Sequence, residues 1–237
     1  MDKNKKQHTL RELKKWELLL KRMVWAQLGE IKNQKILDFG SGSGITANHF
    51  AKENQVVAIE PSEEIVEKRW QDNPYEQLVG SLEQLRKLED ASFDVVFCHN
   101  VLEYAADREE IVREFYRVLK PGGQLSIVKH NRFGRVMQMA VLLNEFEKVN
   151  GLLDKKDGMS SEFGVIRYYE DADIVKWCEH LTMEKVYGIR TFWDLQQNQE
   201  IQEDAEWQEK MLQIEMRVSE IEEFQNIAFF HHLLLRK

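Results

Sequence analysis

Short apolar runs alternate with helical patterns over the first 130 residues of the chain. Between the runs, apolar positions recur three or four residues apart, as they do on one face of a helix. Strands separated by helices form right-handed βαβ units, so we expect a parallel sheet covered by helices on both faces. The predicted strands in this part are residues 35–39, 56–60, 77–79, 94–98 and 124–129.

Several of the predicted helices carry their own start and stop signals. Ser62 is an N-cap residue for the helix after the second strand. Asp107 and Glu110 have the spacing of a capping box at the start of the helix after the fourth strand. Residues 120–123, Lys-Pro-Gly-Gly, end that helix, because proline cannot continue it and glycine supplies the turn.

The pattern changes after residue 130. We expect helices at residues 136–146 and 171–180, with a loop at 150–164 between them. Two further strands, 185–190 and 226–235, are predicted on either side of a long acidic helix. Apolar residues at spacings of four and three in that helix predict a face packed on the sheet edge or, alternatively, a coiled-coil contact. They are Trp207, Met211, Ile214, Val218 and Ile221.

Length and cysteine content narrow the class of protein. The 237 residues predict one α/β domain, with an N-terminal helical cover (1–30) and two halves, residues 31–130 and 131–237. Only two cysteines are present, and they are far apart, which favours a reduced, cytoplasmic protein without a metal site. No run approaches the ~20 apolar residues of a membrane span. The net charge of −8 disfavours broad nucleic-acid binding, and we expect no DNA partner.

The clearest candidate for ligand binding lies at residues 36–44, Ile-Leu-Asp-Phe-Gly-Ser-Gly-Ser-Gly. Here a buried strand ends in a glycine loop, and a predicted helix follows. Glycines allow the backbone to approach a ligand, and a helix N-terminus offers N–H groups to an anion. Residues 42–47, Gly-Ser-Gly-Ile-Thr-Ala, satisfy the GxGxxA pattern of dinucleotide-binding folds. Glu60 lies at the end of the second predicted strand, where its carboxylate can accept both hydrogens of a ribose diol. It does not distinguish a dinucleotide from another ligand that contains a ribose.

Two downstream motifs decide whether the glycine loop belongs to a dinucleotide-binding fold or to another family. Residues 92–104, Ser-Phe-Asp-Val-Val-Phe-Cys-His-Asn-Val-Leu-Glu-Tyr, and residues 117–123, Arg-Val-Leu-Lys-Pro-Gly-Gly, follow the glycine loop in order. Together these segments resemble the class I S-adenosylmethionine-dependent methyltransferases. The resemblance implies a doubly wound, seven-stranded sheet with one antiparallel strand, which would be residues 226–235. It also implies S-adenosyl-L-methionine as methyl donor and S-adenosyl-L-homocysteine as product, with residues 31–130 as the cofactor-binding half and residues 131–237 as the acceptor-side half.

The resemblance further implies which residues hold the donor. The loop would bind the methionine end, Glu60 the ribose, and the residues after the fourth strand would lie near the methyl group. Many relatives have an acid where Ser81 stands, so the adenine amino group would bind a backbone carbonyl or Glu83 instead. The residues assigned to the donor are Asp38, Gly40, Ser41, Gly42, Gly44, Glu60, Pro61, Ser81, Leu82, His99 and Asn100.

Two segments at the carboxyl ends of later strands bear on the methyl acceptor. Residues 130–137, His-Asn-Arg-Phe-Gly-Arg-Val-Met, and 188–194, Gly-Ile-Arg-Thr-Phe-Trp-Asp, resemble bacterial tRNA 5-carboxymethoxyuridine methyltransferases. That family's acceptor is a carboxylate, which needs a cation to hold it and no base to activate it. The similarity breaks down through residues 144–164. The candidates for positioning the acceptor are His99, His130, Asn131, Arg132 and Arg190.

Three functions remain open at this stage. The first is methylation of a wobble-uridine carboxylate in the anticodon loop of a tRNA. The second is O-, N- or C-methylation of a small molecule, as in the ubiquinone and menaquinone group. The third is a non-catalytic, cofactor-binding protein. Residues 1–28 and 144–164 flank the proposed site, and we expect them to form a mobile cover over it.

Overall fold

The structure, a computed structural model, describes residues 8–160 and 164–237. A seven-stranded sheet has the order β3-β2-β1-β4-β5-β9-β8, and β6 and β7 form a separate hairpin. β9 is antiparallel to both of its neighbours, whereas the other pairings in the large sheet are parallel. This confirms the predicted fold class. The strands are β1 (Lys35–Phe39), β2 (Gln55–Glu60), β3 (Glu76–Val79), β4 (Phe93–His99), β5 (Leu119–His130), β6 (Gly158–Ser160), β7 (Gly164–Ile166), β8 (Thr182–Ile189) and β9 (Phe230–Arg236).

Helices cover both faces of the large sheet. Short 3-10 helices occur at Leu10–Glu12, Trp193–Leu195 and Gln199–Glu203. The α-helices are α1 (Lys15–Leu28), α2 (Ile45–Phe50), α3 (Glu63–Glu67), α4 (Leu82–Leu85), α5 (Arg108–Val118), α6 (Arg132–Val141), α7 (Phe146–Leu153), α8 (Asp171–Trp177), α9 (Ala205–Val218) and α10 (Glu222–Gln225).

Two hydrophobic clusters form the core, one on each face of the sheet. In the first cluster, alternate residues of the strands, such as Leu37 and Val96, pack against α5 and α8. In the second cluster, the strand residues that point to the opposite face, such as Ile36 and Phe97, pack against α1, α2 and α9. Because successive strand residues point to opposite faces, Asp38 lies on the same face as Ile36, towards α1.

Some helix signals in the first half are correct and others are wrong. The Ser62 hydroxyl accepts from the backbone N–H of Ile65 at 3.3 Å, so this cap is confirmed. The capping box is wrong: Asp107 makes no side-chain cap, and Glu110 pairs with Arg86, the C-cap residue of α4. Within the predicted helical cover, the described residues form two helices rather than one, because the 3-10 helix Leu10–Glu12 precedes α1.

The region between β5 and α8 contains more regular structure than the sequence predicts. α6 begins at Arg132 rather than at residue 136, because the Asn131 side chain caps it by accepting from the N–H of Phe133. The predicted loop at 150–164 contains the end of α7 and the hairpin β6–β7. Residues 161–163 of that loop lie outside the described residues, as do residues 1–7 of the predicted cover.

The acidic helix packs on the sheet as predicted, but it uses only part of the predicted face, including Trp207 and Met211. Ile214 and Ile221 are 44% and 42% exposed, so these two positions were predicted wrongly. The helix also ends at Val218, before Ile221. The residues that pack against the core are Trp207, Met211, Leu212 and Met216.

Both predicted halves contribute strands to the large sheet. β1 to β5 come from residues 31–130, and β8 and β9 come from residues 131–237. The carboxyl ends of β1, β2, β4 and β5 meet at one edge, where doubly wound folds bind their ligands. In the described part of the chain, no helix has the length and apolar character needed to cross a bilayer.

Candidate functional site

A glycine loop connects β1 to α2 at the carboxyl edge of the sheet. Gly40, Gly42 and Gly44 have φ angles of +73°, +53° and +71°, which residues with a side chain seldom adopt. A Cβ atom added at Gly44 would collide with the Tyr75 hydroxyl. One added at Gly42 would meet no atom of the described residues within 4 Å. The backbone at Gly42 is therefore open on the side where a ligand can approach.

Glu60, the last residue of β2, braces this loop from the neighbouring strand. One carboxylate oxygen accepts from the N–H of Gly42 at 2.9 Å, and the other accepts from the N–H of Ser62 at 3.1 Å. The side chain is only 8% exposed. Each oxygen has a further lone pair, so Glu60 can hold the loop and still accept from a ligand hydroxyl.

Asp38 and Lys21 form a charged pair of groups beside the loop. Burial raises the pKa of Asp38 to about 6, although the positive charge of Lys21 lowers it. The Asp38 Oδ2 atom is buried and has no hydrogen-bond partner among the described residues. Lys21, on α1, donates to the Thr46 hydroxyl at 2.8 Å, and burial lowers its pKa. Both groups are therefore poised to bind polar parts of a ligand.

His99, the last residue of β4, begins a buried chain of hydrogen bonds. Its Nε2 lies 2.9 Å from the Ser126 hydroxyl, which lies 2.8 Å from Nε2 of His232. Nδ1 of His232 lies 2.8 Å from Oε1 of Gln27 on α1. Burial lowers the pKa of His99 well below its usual value, and the neighbouring His232 adds to this effect. His99 is therefore neutral at physiological pH.

The other residues assigned to the donor follow the carboxyl ends of β1, β2, β3 and β4. Asn100 has φ of +58°, and its Oδ1 is buried without a partner among the described residues, as is the Ser41 hydroxyl. The N–H of Ser81 donates to Glu83 at 2.9 Å, so one oxygen of that carboxylate is already engaged. Leu82 is buried and Pro61 is exposed.

At the end of β5, His130 pairs with the buried carboxylate of Glu103. Nδ1 of His130 lies 2.6 Å from the carboxylate, and its backbone N–H donates to the same oxygen at 3.3 Å. Glu103 is 1% exposed. The imidazole also packs against Phe229 and Phe230. This arrangement fixes the ring and directs its Nε2 away from the carboxylate.

Arg190 follows β8 and approaches the same pair of phenylalanine rings. Its guanidinium lies 4.8 Å from the centre of the Phe229 ring, 5.2 Å from Phe230 and 4.9 Å from Trp16 of α1. It is 6% exposed, has φ of +62° and donates to Asp194. The structure therefore brings His130 and Arg190 to one place, and Arg190 is a buried residue rather than a surface one.

Asn131 and Arg132 are engaged elsewhere. The Asn131 amide donates to the carbonyls of Asn226 and Ala228, at 3.0 and 2.8 Å, while its oxygen caps α6. Arg132 donates to the Lys156 carbonyl at 3.1 Å. These contacts favour a structural role for both residues, so of the acceptor candidates His130 and Arg190 are the best placed.

Comparison with known proteins places these features in a family. The family described as "Methyltransferase domain" matches residues 37–127. The ubiquinone biosynthesis O-methyltransferase of Xanthomonas oryzae pv. oryzae is 31% identical over 168 residues, 68% of this chain and 67% of that protein. The chain belongs to the S-adenosylmethionine-dependent methyltransferases.

Two further comparisons describe how far the methyltransferase resembles its relatives. The tRNA 5-carboxymethoxyuridine methyltransferase of Escherichia coli strain K12 is 26% identical over 224 residues, covering 90% of this chain and 84% of that protein. A solved S-adenosylmethionine-dependent methyltransferase from Mesorhizobium loti superposes with a TM-score of 0.59 at 16% identity, covering 97% of this chain and 100% of that chain. At that identity the structural likeness shows the fold alone.

The donor site of the methyltransferase fits the methyl donor of its family. Three buried oxygens without partners among the described residues, on Asp38, Ser41 and Asn100, surround the glycine loop. They lie where a ligand with several polar groups would satisfy them. The backbone at Gly42 is open to its approach, and Glu60 offers lone pairs to a diol. The specific contacts of each residue with the donor remain predictions.

Sequence reasoning missed two residues of this site. Lys21 precedes Val24 and Leu28 by three and seven residues, so it lies on the inward side of α1, and that spacing was an available signal. Glu103 lies in the motif at residues 92–104, but its role as the partner of His130 was missed. Its pairing with His130 joins residues 27 positions apart, and nothing in the spacing indicates it.

Proposed function

We propose that the methyltransferase esterifies the carboxylate of a modified wobble uridine in tRNA, and that Arg190 binds this carboxylate. The alignment with the Escherichia coli tRNA 5-carboxymethoxyuridine methyltransferase covers 90% of the chain, so it includes most of residues 131–237. The alignment with the Xanthomonas ubiquinone biosynthesis O-methyltransferase covers 68%. The longer alignment supports a shared acceptor as well as a shared donor.

The placement of Arg190 is the observation that carries this proposal. A guanidinium keeps its charge at every relevant pH and presents its donors in a planar fork that matches a carboxylate. Asp194 accepts from Nη2, whereas the Nε–H is buried without a partner among the described residues. A second carboxylate can bind along that edge, while Asp194 keeps the guanidinium oriented and compensates part of its charge.

The rings around Arg190 suit a nucleobase that carries such a carboxylate. Trp16 is 38% exposed and lies against the guanidinium, next to the buried Phe229 and Phe230. Aromatic side chains stack on bases that have left the stack of a single-stranded loop. A pyrimidine ring can therefore rest on Trp16 while its substituent reaches Arg190.

The main contribution of the protein to this reaction is to align the acceptor oxygen with the methyl group of the donor. Held by the glycine loop and Glu60, S-adenosylmethionine would supply an electrophilic methyl group on its sulfonium sulfur, and the electron pair of the S–CH3 bond would stay with sulfur on transfer to the acceptor oxygen. A carboxylate with a pKa of roughly 4 is already ionised at neutral pH, so no base is needed. Arg190 holds the oxygen, and the loop with Glu60 holds the donor, so that both reactants are oriented.

The decisive test uses tRNA carrying 5-carboxymethoxyuridine, isotope-labelled donor and mass spectrometry of the digested nucleosides. We expect the labelled methyl ester, lost on mild alkaline hydrolysis. Arg190→Lys keeps the charge but not the fork, and should lose most activity while donor affinity is unchanged. Arg217→Lys, an exposed site on α9, is the matched control. No label on this tRNA refutes the proposal, and full activity in Arg190→Lys refutes the role of Arg190.

A second candidate, methylation of a hydroxyl group, is favoured by the contact between Glu103 and His130. The carboxylate accepts from Nδ1–H, which leaves the lone pair of the neutral ring on Nε2. A histidine oriented by a buried carboxylate is the arrangement of a general base. It suits a phenol, which must lose its proton as it is methylated, as for the substrates of the ubiquinone group.

The pH profile of activity separates these two candidates. With a carboxylate acceptor, no base takes part, so the acidic side of the profile reflects the acceptor carboxyl, with a pKa of roughly 4, and Asp38, whose pKa is raised to about 6; His130→Gln leaves that profile unchanged. With a hydroxyl acceptor, His130→Gln lowers the activity and removes an acidic limb from the activity that remains. Comparing kcat/KM for the two kinds of acceptor between pH 4.5 and 8 gives the answer.

A further inference from the structure

The buried face of α9 carries a carboxylate among apolar neighbours. Glu215 has no exposed surface and follows Met211 by four residues on the face that packs against the core. Burying a charge is costly unless hydrogen bonds compensate for it. In the part of the chain that the structure describes, no basic side chain pairs with this carboxylate. Backbone N–H groups stabilise its charge instead.

Those N–H groups belong to the turn that follows β8. Oε2 of Glu215 accepts from Thr191 at 2.8 Å, and Oε1 accepts from Phe192 at 2.8 Å and from Trp193 at 2.9 Å. Thr191 and Trp193 are each 2% exposed, so water cannot replace the carboxylate at these two N–H groups. Three successive donors converge on one side chain that lies more than twenty residues away in the sequence.

The same turn contains Arg190 and Asp194, which form an ion pair with each other. Arg190 directly precedes the three donors, and Asp194 directly follows them. Arg190 also has a left-handed backbone, with φ of +62°, which is unfavourable for a residue with a Cβ atom. Such a conformation persists only where surrounding contacts impose it. The contacts that Glu215 makes with the next three residues are of that kind.

We propose that Glu215 is a positioning residue for the methyl acceptor: by holding residues 191–193 it fixes Arg190 in the orientation that binds the acceptor carboxylate. This inference rests on the proposed function, in which Arg190 is the binding group. It gives the acidic helix a role at the active site, although no residue of α9 needs to touch the acceptor.

The first experiment separates acceptor binding from donor binding in Glu215→Gln. The amide keeps the shape of the side chain, but it loses the charge and turns an N–H group towards the turn. We expect the KM for tRNA carrying 5-carboxymethoxyuridine to rise roughly tenfold, the loss of about one charge-assisted hydrogen bond. The Kd for S-adenosylhomocysteine should change less than twofold. Glu206→Gln on the same helix, where the side chain is 78% exposed, is the matched control.

A double-mutant cycle tests whether Glu215 acts through Arg190. In an Arg190→Lys background, Glu215→Gln should raise the acceptor KM little further, because the fork it positions is gone. Additive effects, or an unchanged KM in folded Glu215→Gln, overturn the inference while leaving the role of Arg190 intact. If Glu215→Gln does not fold, Glu215→Asp is judged by the same criteria, since it keeps the charge but is too short to reach all three N–H groups.

A measurement without acceptor keeps this inference separate from the proposed function. The Nε–H of Arg190 gives its own signal in a proton–nitrogen correlation spectrum. We expect that signal to shift or broaden in Glu215→Gln and to stay in place in Glu206→Gln. An unchanged Arg190 signal overturns the positioning role whatever the acceptor is, whereas a shifted signal with no activity on tRNA supports the positioning role and refutes the proposed acceptor.

Discussion

Replacing Glu60 with alanine tests the donor side of the site most directly. Its carboxylate accepts from the N–H groups of Gly42 and Ser62, and burial keeps water from taking its place. A hydrogen bond to a charged group contributes about 1.5–3 kcal/mol. The donor loses the ribose contact proposed for Glu60, while the loop loses its brace. We expect donor affinity to fall by about 1.5–3 kcal/mol, which is roughly 10- to 150-fold in Kd.

Calorimetry with S-adenosylhomocysteine measures this change without any knowledge of the acceptor. Glu60→Gln should lie between wild type and Glu60→Ala, because its remaining oxygen still accepts one N–H. Glu63→Ala, an exposed site three residues further on, is the control for the local loss of a carboxylate. Circular dichroism confirms that each variant is folded. If folded Glu60→Ala binds S-adenosylhomocysteine within twofold of wild type, Glu60 does not hold the donor.

Three further predictions concern the loop, the core and the cover. Gly42→Val should abolish binding of S-adenosylhomocysteine in calorimetry and cost about 1–2 kcal/mol of stability through the strained φ; normal binding would place the ligand elsewhere. Burial would raise the pKa of Asp171, but the hydrogen bond from His231 and the charge of Lys129 lower it. Its stabilising effect is therefore complete above the pKa of the unfolded carboxyl group and decreases as the pH falls towards the lower pKa of the folded state. Asp171→Asn should destabilise by about 2–3 kcal/mol at pH 7 and by less at pH 2 in thermal unfolding. Bound S-adenosylhomocysteine should slow proteolysis within residues 8–28 and 144–160, and equal digestion rates would argue against a cover.

The backbone geometry around the glycine loop could be predicted from the sequence because its signals are local. The glycines between residues 40 and 44, the acid at the end of β2 and the stop at residues 120–123 each lie within a few positions of the structure they specify. The end of β1 was predicted to the residue for the same reason. Short-range steric and hydrogen-bonding requirements fix these features whatever the rest of the chain does.

The contacts of the acceptor-side residues could not be predicted from the sequence, because they join distant parts of the chain. Arg190 contacts Trp16 of α1 and Phe229, which directly precedes β9. No sequence spacing indicates that these three residues are neighbours. The apolar face predicted for α9 was partly wrong for a related reason. A periodicity argument assigns charged residues to the solvent side, whereas Glu215 lies on the buried side because the turn after β8 supplies its hydrogen bonds.

The single hydroxyl hydrogen of Ser126 couples the two histidines on either side of it. Burial lowers the pKa of His232 to about 3, and His99 is also neutral. The serine donates to one Nε2 and must accept from the other, so the two rings hold opposite tautomers. With Oε1 of Gln27 accepting from Nδ1 of His232, the chain runs in one direction and leaves the proton of His99 on Nε2. A glutamine on the N-terminal helix thereby selects which nitrogen of a strand-end histidine presents its lone pair.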